Sequence, residues 1–129
     1  KIIGVETVED AIEDAKINAS FNDVNNVSFH AGDVIKVCNQ DFFAKHGQPD
    51  IVIIDPPRAG CHQALLEKLL EIASPKIVYV SCNPATQARD LQLLATKYDL
   101  IKSQAVDMFP HTHHVENVVL LHLKNNIHE

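Results

Sequence analysis

Ile51-Val52-Ile53-Ile54 is an unbroken run of branched apolar residues that stops abruptly at Asp55-Pro56-Pro57-Arg58-Ala59-Gly60. Branched side chains favour the pleated conformation. A run without polar alternation fits a strand covered on both faces, as in a parallel sheet. Parallel strands need crossover connections, usually helices. The chain has the pattern for them on both sides of this run, so the run fixes the fold class before any other feature is considered.

Ile2 to Val5 reads as a short buried strand. Thr7 is placed to cap a helix, with Asp10 at capping-box spacing, and Val8, Ala11, Ile12, Ala15 and Ala19 share one helical face. Asn22 to Asn26 is a turn, Val27 to His30 a second strand, and Gly32-Asp33 its end. Residues 34 to 46 read as a helix ending near His46-Gly47. After the 51–54 strand, Leu65, Leu66, Leu69, Leu70 and Ala73 mark a helix stopped by Ser74-Pro75. Ile77 to Val80 is another fully buried strand, and Ala88, Leu91, Leu94, Ala95 and Tyr98 mark the next helix. Leu100 to Val106 and Val118 to Leu123 are two late strands with no helix between them, hence antiparallel. Strands alternating with helices define an α/β layered fold.

The 129 residues suit one domain with one core. No apolar run approaches the roughly 18 residues of a membrane span, and no signal peptide opens the chain. Lys1-Ile2-Ile3-Gly4-Val5-Glu6 reads as the middle of a domain, so a fragment of a longer chain is expected. The net charge of −6 and the lack of a basic run argue against a free-standing nucleic-acid binder. Three cysteines, Cys38, Cys61 and Cys82, without a CxxC pair, fit a reducing, cytoplasmic setting.

Ligands of open α/β sheets sit off the carboxyl ends of the strands. Glu6, Asp33, Asp55 and Cys82 stand at such ends and suggest one shared crevice. Glu6 can accept from ribose hydroxyls or simply begin a helix. Asp33 can accept from an adenine amino group or serve a turn. Asp55 is held by two following prolines, either for a reacting group or as part of a stiff turn. No glycine-rich phosphate loop is present, because the four glycines are scattered. Cys82 lies in Tyr79-Val80-Ser81-Cys82-Asn83-Pro84-Ala85-Thr86, between a strand end and a helix start near Ala85. Amide groups there favour thiolate, the nucleophilic form. The inert, buried alternative suits Cys38 and Cys61 better. Asn83 or Thr86 caps that helix, while Arg89 and Asp90 read as its surface. In the late loop His111, His113 and His114 invite a metal reading, but a Pro-containing loop without HExxH or CxxC disfavours zinc. The alternative is that Phe109 and His111 shape a pocket and Glu116 acts as a general base.

Three stretches together, Ile54-Asp55-Pro56-Pro57-Arg58-Ala59-Gly60, Val80-Ser81-Cys82-Asn83-Pro84-Ala85-Thr86 with Ala88-Arg89-Asp90, and Asp107-Met108-Phe109-Pro110-His111-Thr112 with His114-Val115-Glu116, resemble the RNA 5-methyluridine methyltransferases. The resemblance runs in order over essentially the whole chain, and its late motif is more similar to the 23S ribosomal RNA branch than to the transfer RNA branch. It implies a Rossmann-like class I methyltransferase fold, with residues 1–129 as part of the catalytic domain. It implies S-adenosyl-L-methionine as cofactor, with Glu6, Asp33 and Asp55 around it and Glu6 toward the ribose. It also implies an RNA substrate, Cys82 as nucleophile, Glu116 as base, and no metal or membrane. The family's usual first strand and glycine loop, and its upstream RNA-binding domains, have no counterpart here, so this piece alone is expected to be inactive. In the resembled fold that strand lies between the first strand of this chain and the 51–54 strand. An altered sheet, or an oligomer formed through exposed edges, is therefore expected. Two other readings compete: an amino-group methyltransferase with a similar Asp-Pro-Pro motif, which leaves Cys82 and the Glu116 loop unexplained, and an inert fragment or histidine-rich metal-binding module.

Overall fold

The computed structural model describes residues 1–125. The elements in order are β1 (Ile2–Glu6), α1 (Glu9–Phe21), β2 (Val27–Ala31), α2 (Val34–Val37), α3 (Gln40–His46), β3 (Ile51–Ile54), α4 (Gln63–Ile72), β4 (Lys76–Ser81), α5 (Pro84–Leu94), β5 (Tyr98–Val106) and β6 (Glu116–Leu123). The α/β alternation read from the sequence is present. The chain forms two compact units, Lys1–Gly47 and Gln48–Glu129. Strand pairing follows the same division. β1 pairs only with β2, and the second sheet has the order β3-β4-β6-β5. Each unit thus carries its own sheet. Among the described residues no helix is long and apolar enough to cross a membrane.

In the first unit β1 and β2 run parallel, joined by α1. The expected Thr7 cap is not formed. The N-cap of α1 is Val8, which has no side-chain cap, and the Val8 N–H is satisfied by Glu6 at 3.0 Å. The single helix expected over residues 34–46 is two. Asn39 breaks it, because its side chain accepts from Phe42 N at 2.9 Å and restarts the chain as α3. Asn favours such caps because its short amide competes with the helix ladder.

In the second unit β3 and β4 are parallel, while β6 lies antiparallel between β4 and β5. Ile77, Tyr79, Val119 and Leu121 share one face, with Val52 and Ile54 beside them. Leu66, Leu69 and Leu94 of α4 and α5 complete the core. The expectation that 51–54 and 77–80 are covered on both faces is not met. Ile51 and Ile53 are 52% and 71% exposed, and Val78 and Val80 are only half-buried. The reason is topological. Right-handed crossovers that step in one direction along a sheet place their helices on the same face, so α4 and α5 cover one side only.

Tyr98, expected on the last helix, instead opens β5. It is buried there and donates its hydroxyl to Ser74 O at 2.9 Å. An extra residue in β5 between Leu100 and Lys102 shifts its register against β6.

The one-sided core makes a direct prediction. Leu94→Ala should cost about 2–5 kcal/mol because Leu94 is fully buried. Ile53→Ala, on the open face, should cost under about 1 kcal/mol. Urea denaturation of the two variants checks the assignment, and equal losses would overturn it.

Candidate active site

The site residues fall into two groups, one in each unit. In the first unit, Glu6 closes β1 and Asp33 follows β2. Parallel pairing sets Glu6 against Ala31, and Gly32 N–H donates to Glu6 O at 2.8 Å, so both carboxylates stand at the same end of one strand pair. Glu6 accepts from Val8 N–H and from the Thr7 hydroxyl at 2.9 Å. The Val8 bond, followed by those of Thr7, holds its carboxyl below the ordinary range. It is therefore an ionised acceptor at neutral pH. Asp33 is the N-cap of α2 and accepts from Ile35 N–H at 2.9 Å. Its turn role is real, and both side chains remain exposed.

In the second unit, Asp55 lies exposed just past β3, Cys82 half-buried just past β4, and Glu116 half-buried as the first residue of β6. The antiparallel register of β4 and β6 runs from Lys76↔His122 to Ser81↔Asn117. Cys82 is the residue after Ser81 and Glu116 the residue before Asn117, so both stand at the same end of this strand pair. The strand register therefore places a thiol and a carboxylate at one end of one sheet, with Asp55 at the end of the neighbouring strand.

Cys82 is a free thiol. The chain turns immediately after it. Asn83 is the N-cap of α5, its side chain accepting from Ala85 N–H at 3.1 Å, and Pro84 occupies the first turn where its missing N–H costs nothing. The Ser81 hydroxyl accepts from Asn83 N–H at 3.0 Å and tightens this corner.

Arg89 and Asp90, read from the sequence as surface, are instead structural. Asp90 is 1% exposed. One of its oxygens accepts from Cys61 N–H and from the Tyr79 hydroxyl, each at 2.7 Å. The other accepts from Arg89 Nε at 3.0 Å and Nη2 at 2.8 Å. Arg89 Nη2 also donates to Ala59 O at 2.9 Å. Thr86 and Asn83 both donate to Arg58 O, at 3.0 and 3.2 Å. The segment after Asp55-Pro56-Pro57 is thus fastened to the first turns of the helix that follows Cys82. Gly60 is required there. It has φ +82°, and a Cβ would lie 2.7 Å from both Asp90 Oδ2 and Arg89 Nη2.

The other cysteines, Cys38 and Cys61, are buried, as expected, and burial is the main cause that pushes the Cys61 thiol up to about 11. Burial, with Asp90 next, raises Tyr79 as well, so its hydroxyl stays a donor.

Over the thiol–carboxylate end runs the loop 107–115. Met108 and Phe109 are exposed, and Thr112 folds the loop by donating its hydroxyl to Phe109 O at 2.9 Å. The His113 and His114 rings are 4.1 Å apart. His114 is held below its ordinary pKa by partial burial first, then by Arg58 and His113. Among the described residues no group of three or more His, Cys, Asp or Glu side chains is gathered as a metal ion would require.

Known proteins give this arrangement a class. The chain superposes with a TM-score of 0.71 on the N-methyltransferase NodS of Bradyrhizobium japonicum, solved with S-adenosyl-L-homocysteine, covering 94% of this chain and 65% of that one at 10% identity. It matches an rRNA methylase of Streptococcus thermophilus at a TM-score of 0.69 and 10% identity, covering 95% of this chain and 73% of that one. These likenesses establish the fold as that of the Rossmann-like class I methyltransferases.

Sequence narrows the class. A relative from Bacteroides thetaiotaomicron, described as an uncharacterized RNA methyltransferase, is 58% identical over 124 residues, covering 96% of this chain and 27% of the relative. One from Porphyromonas gingivalis with the same description is 56% identical, covering 94% of this chain and 26% of that one. The tRNA (uracil-54, C5)-methyltransferase of Pyrococcus abyssi, solved with S-adenosyl-L-homocysteine, superposes with a TM-score of 0.78 at 42% identity, covering 92% of this chain and 28% of that one. The tRNA (Uracil-5-)-methyltransferase family pattern matches residues 1–124, and the chain belongs to that family. It spans about a quarter of the length of the curated relatives it matches.

Two outcomes test the site. In the folded protein at pH 8, iodoacetamide should alkylate Cys82 first. Cys61 is buried and titrates near 11, so only about a thousandth of it is thiolate, and it should react only on unfolding. Peptide mass spectrometry reads the order. Asp90→Ala leaves Cys61 N–H, the Tyr79 hydroxyl and Arg89 without their acceptor and should cost about 3–5 kcal/mol by chemical denaturation.

Proposed function

We propose that this chain supplies the nucleophile and the base for S-adenosylmethionine-dependent methylation of uridine C5 in RNA. The observation that carries the reading is the β4–β6 pairing, whose last pair Ser81↔Asn117 is flanked by Cys82 and Glu116, at the end of the sheet where Asp55 also stands. The family match and the 42% identity to a uracil-C5 methyltransferase support it.

The residues of the first unit fit the cofactor in donor chemistry. Glu6 is an ionised acceptor suited to the paired hydroxyls of a ribose, and Asp33 stands at the next strand end, suited to an adenine amino group. In the second unit, Asp55 lies exposed at the end of β3. When bound, S-adenosylmethionine supplies the methyl group that C5 acquires.

The remaining chemistry belongs to this chain. Uracil C5 is a weak nucleophile. The Cys82 thiolate adds to C6, and the electron pair of the C5=C6 bond moves onto the C4 carbonyl oxygen, which makes C5 nucleophilic. Once C5 is methylated, Glu116 removes the C5 proton. The electrons of the C5–H bond rebuild C5=C6, the C6–S bond breaks, and Cys82 leaves as thiolate. Both faces of the base must be reachable, so the nucleotide leaves its stack. Exposed Phe109 and Met108 offer an apolar surface beside it. The Asp107–Thr112 motif favours 23S ribosomal RNA, and the Pyrococcus abyssi protein is named for tRNA uracil-54.

RNA carrying 5-fluorouridine tests the reading, because fluorine cannot be removed as a proton and the adduct is trapped. The full-length gene product should form a denaturation-resistant RNA adduct. Cys82→Ala should abolish it, and an adduct in that variant would sink the assignment. Glu116→Gln should lower turnover of ordinary RNA by about 10²–10⁴-fold while allowing attack. Mapping 5-methyluridine in ribosomal and transfer RNA from cells lacking the gene separates the two substrates.

A further inference from the structure

Gln87 is 1% exposed, on the face of α5 that looks into the protein. Every polar atom of its side chain is engaged. Nε2 donates to Tyr79 O at 3.0 Å and to Asn117 O at 3.2 Å, and Oε1 accepts from Asn117 Nδ2 at 2.7 Å. Asn117 follows Glu116 and is also bonded to Ser103 of β5, with Nδ2 donating to the Ser103 hydroxyl at 3.1 Å. One buried amide therefore joins the helix that begins after Cys82, the strand that ends before Cys82, and the residue next to Glu116. An isolated buried amide is costly unless all its bonds are made. An apolar side chain would fill the same space without fixing the relative position of the three segments.

We propose that Gln87 is a positioning residue that, through Asn117, sets Glu116 at working distance from the uridine held by Cys82. The inference rests on the methyltransferase reading above and deepens it. The two halves of the site depend on Gln87 unequally. The Cys82 side has other ties, since Asn83, Thr86, Arg89 and Asp90 bind α5 to the 58–61 segment. On the Glu116 side, the side-chain hydrogen bonds between β6 and α5 run only between Asn117 and Gln87 among the described residues. The ladder pairs of Asn117 with Ser81 and of Glu116 with Val106 hold the β6 backbone, so removing the clamp leaves the attack on C6 largely intact and loosens the base within that frame. Displacement of about 1 Å can cost a reaction step on the order of 10²-fold.

The test uses the full-length gene product and two variants. Gln87→Met keeps the volume and removes all three bonds, and Asn117→Ala, at a half-buried strand position that tolerates change if the first variant fails to fold, removes the Asn117 Nδ2 bond to Gln87 Oε1 while the bond to the Asn117 carbonyl remains. Leu94→Ala serves as a comparator with core damage but no clamp damage. The expected result for the clamp variants has three parts: trapping by 5-fluorouridine RNA within about 3-fold of the parent, KM within about 3-fold, and turnover of ordinary RNA reduced about 10–100-fold. Covalent protein–RNA complex should then build up with ordinary uridine RNA, visible on denaturing gels, and Leu94→Ala should show no such build-up. The proposal is overturned if both clamp variants lose trapping and turnover in parallel, if neither accumulates complex, or if Leu94→Ala accumulates it equally. If the parent protein itself traps no fluorinated RNA, or Cys82→Ala still traps it, the underlying reading fails and this inference falls with it.

Discussion

The second unit depends on the carboxylate of Asp90. A buried charge is tolerable only when its lone pairs are filled and its charge is answered. Both conditions hold. A backbone N–H, a tyrosine hydroxyl and a guanidinium supply the donors. The guanidinium of Arg89 keeps one end in solvent, which reduces the cost of bringing the pair inside. Because the donors come from the loop after β3, from the middle of β4 and from α5, one side chain fixes three segments that share no continuous secondary structure. The rigidity of the Asp-Pro-Pro turn would be of little use if the segment after it could swing. Asp90 and Arg89 hold it, and the absence of a side chain at Gly60 lets them approach.

A second buried polar group, the amide of Gln87, does the same for the far side of Cys82. Cys82, between β4 and α5, is itself only half-buried. The arrangement separates two duties. Cys61 is buried beside Asp90, where desolvation keeps it protonated and unreactive. Cys82 stands at a strand end with a helix opening after it and is only half-buried.

The motifs that carry the chemistry were legible as residues. Asp55, Cys82 and Glu116 each stand where the sequence placed them, at the end or start of a strand. The network that orders them was misread, because polar residues on an amphipathic helix are by default assigned to water. Gln87, Asp90 and Leu94 share one helical face, so a glutamine and an aspartate at core spacing were the available signal. The strand faces were misread for a different reason. A branched apolar run fits two-sided burial, but which faces are covered depends on the hand of the crossovers and on the other elements present. That is why Ile53 is open to solvent.

The sequence by itself determined the α/β alternation and the position of Glu6, Asp55, Cys82 and Glu116 at the ends or starts of strands. These follow from short-range periodicity, turn chemistry and the three motifs that resemble a known family. Only the tertiary structure decided that Glu116 and Cys82 stand at the same end of one strand pair, because strand register is a pairing between distant segments. The same is true of Asp90 and Gln87. Whether a polar side chain on a helix meets water or a buried donor depends on what packs against that helix, and local sequence does not encode it.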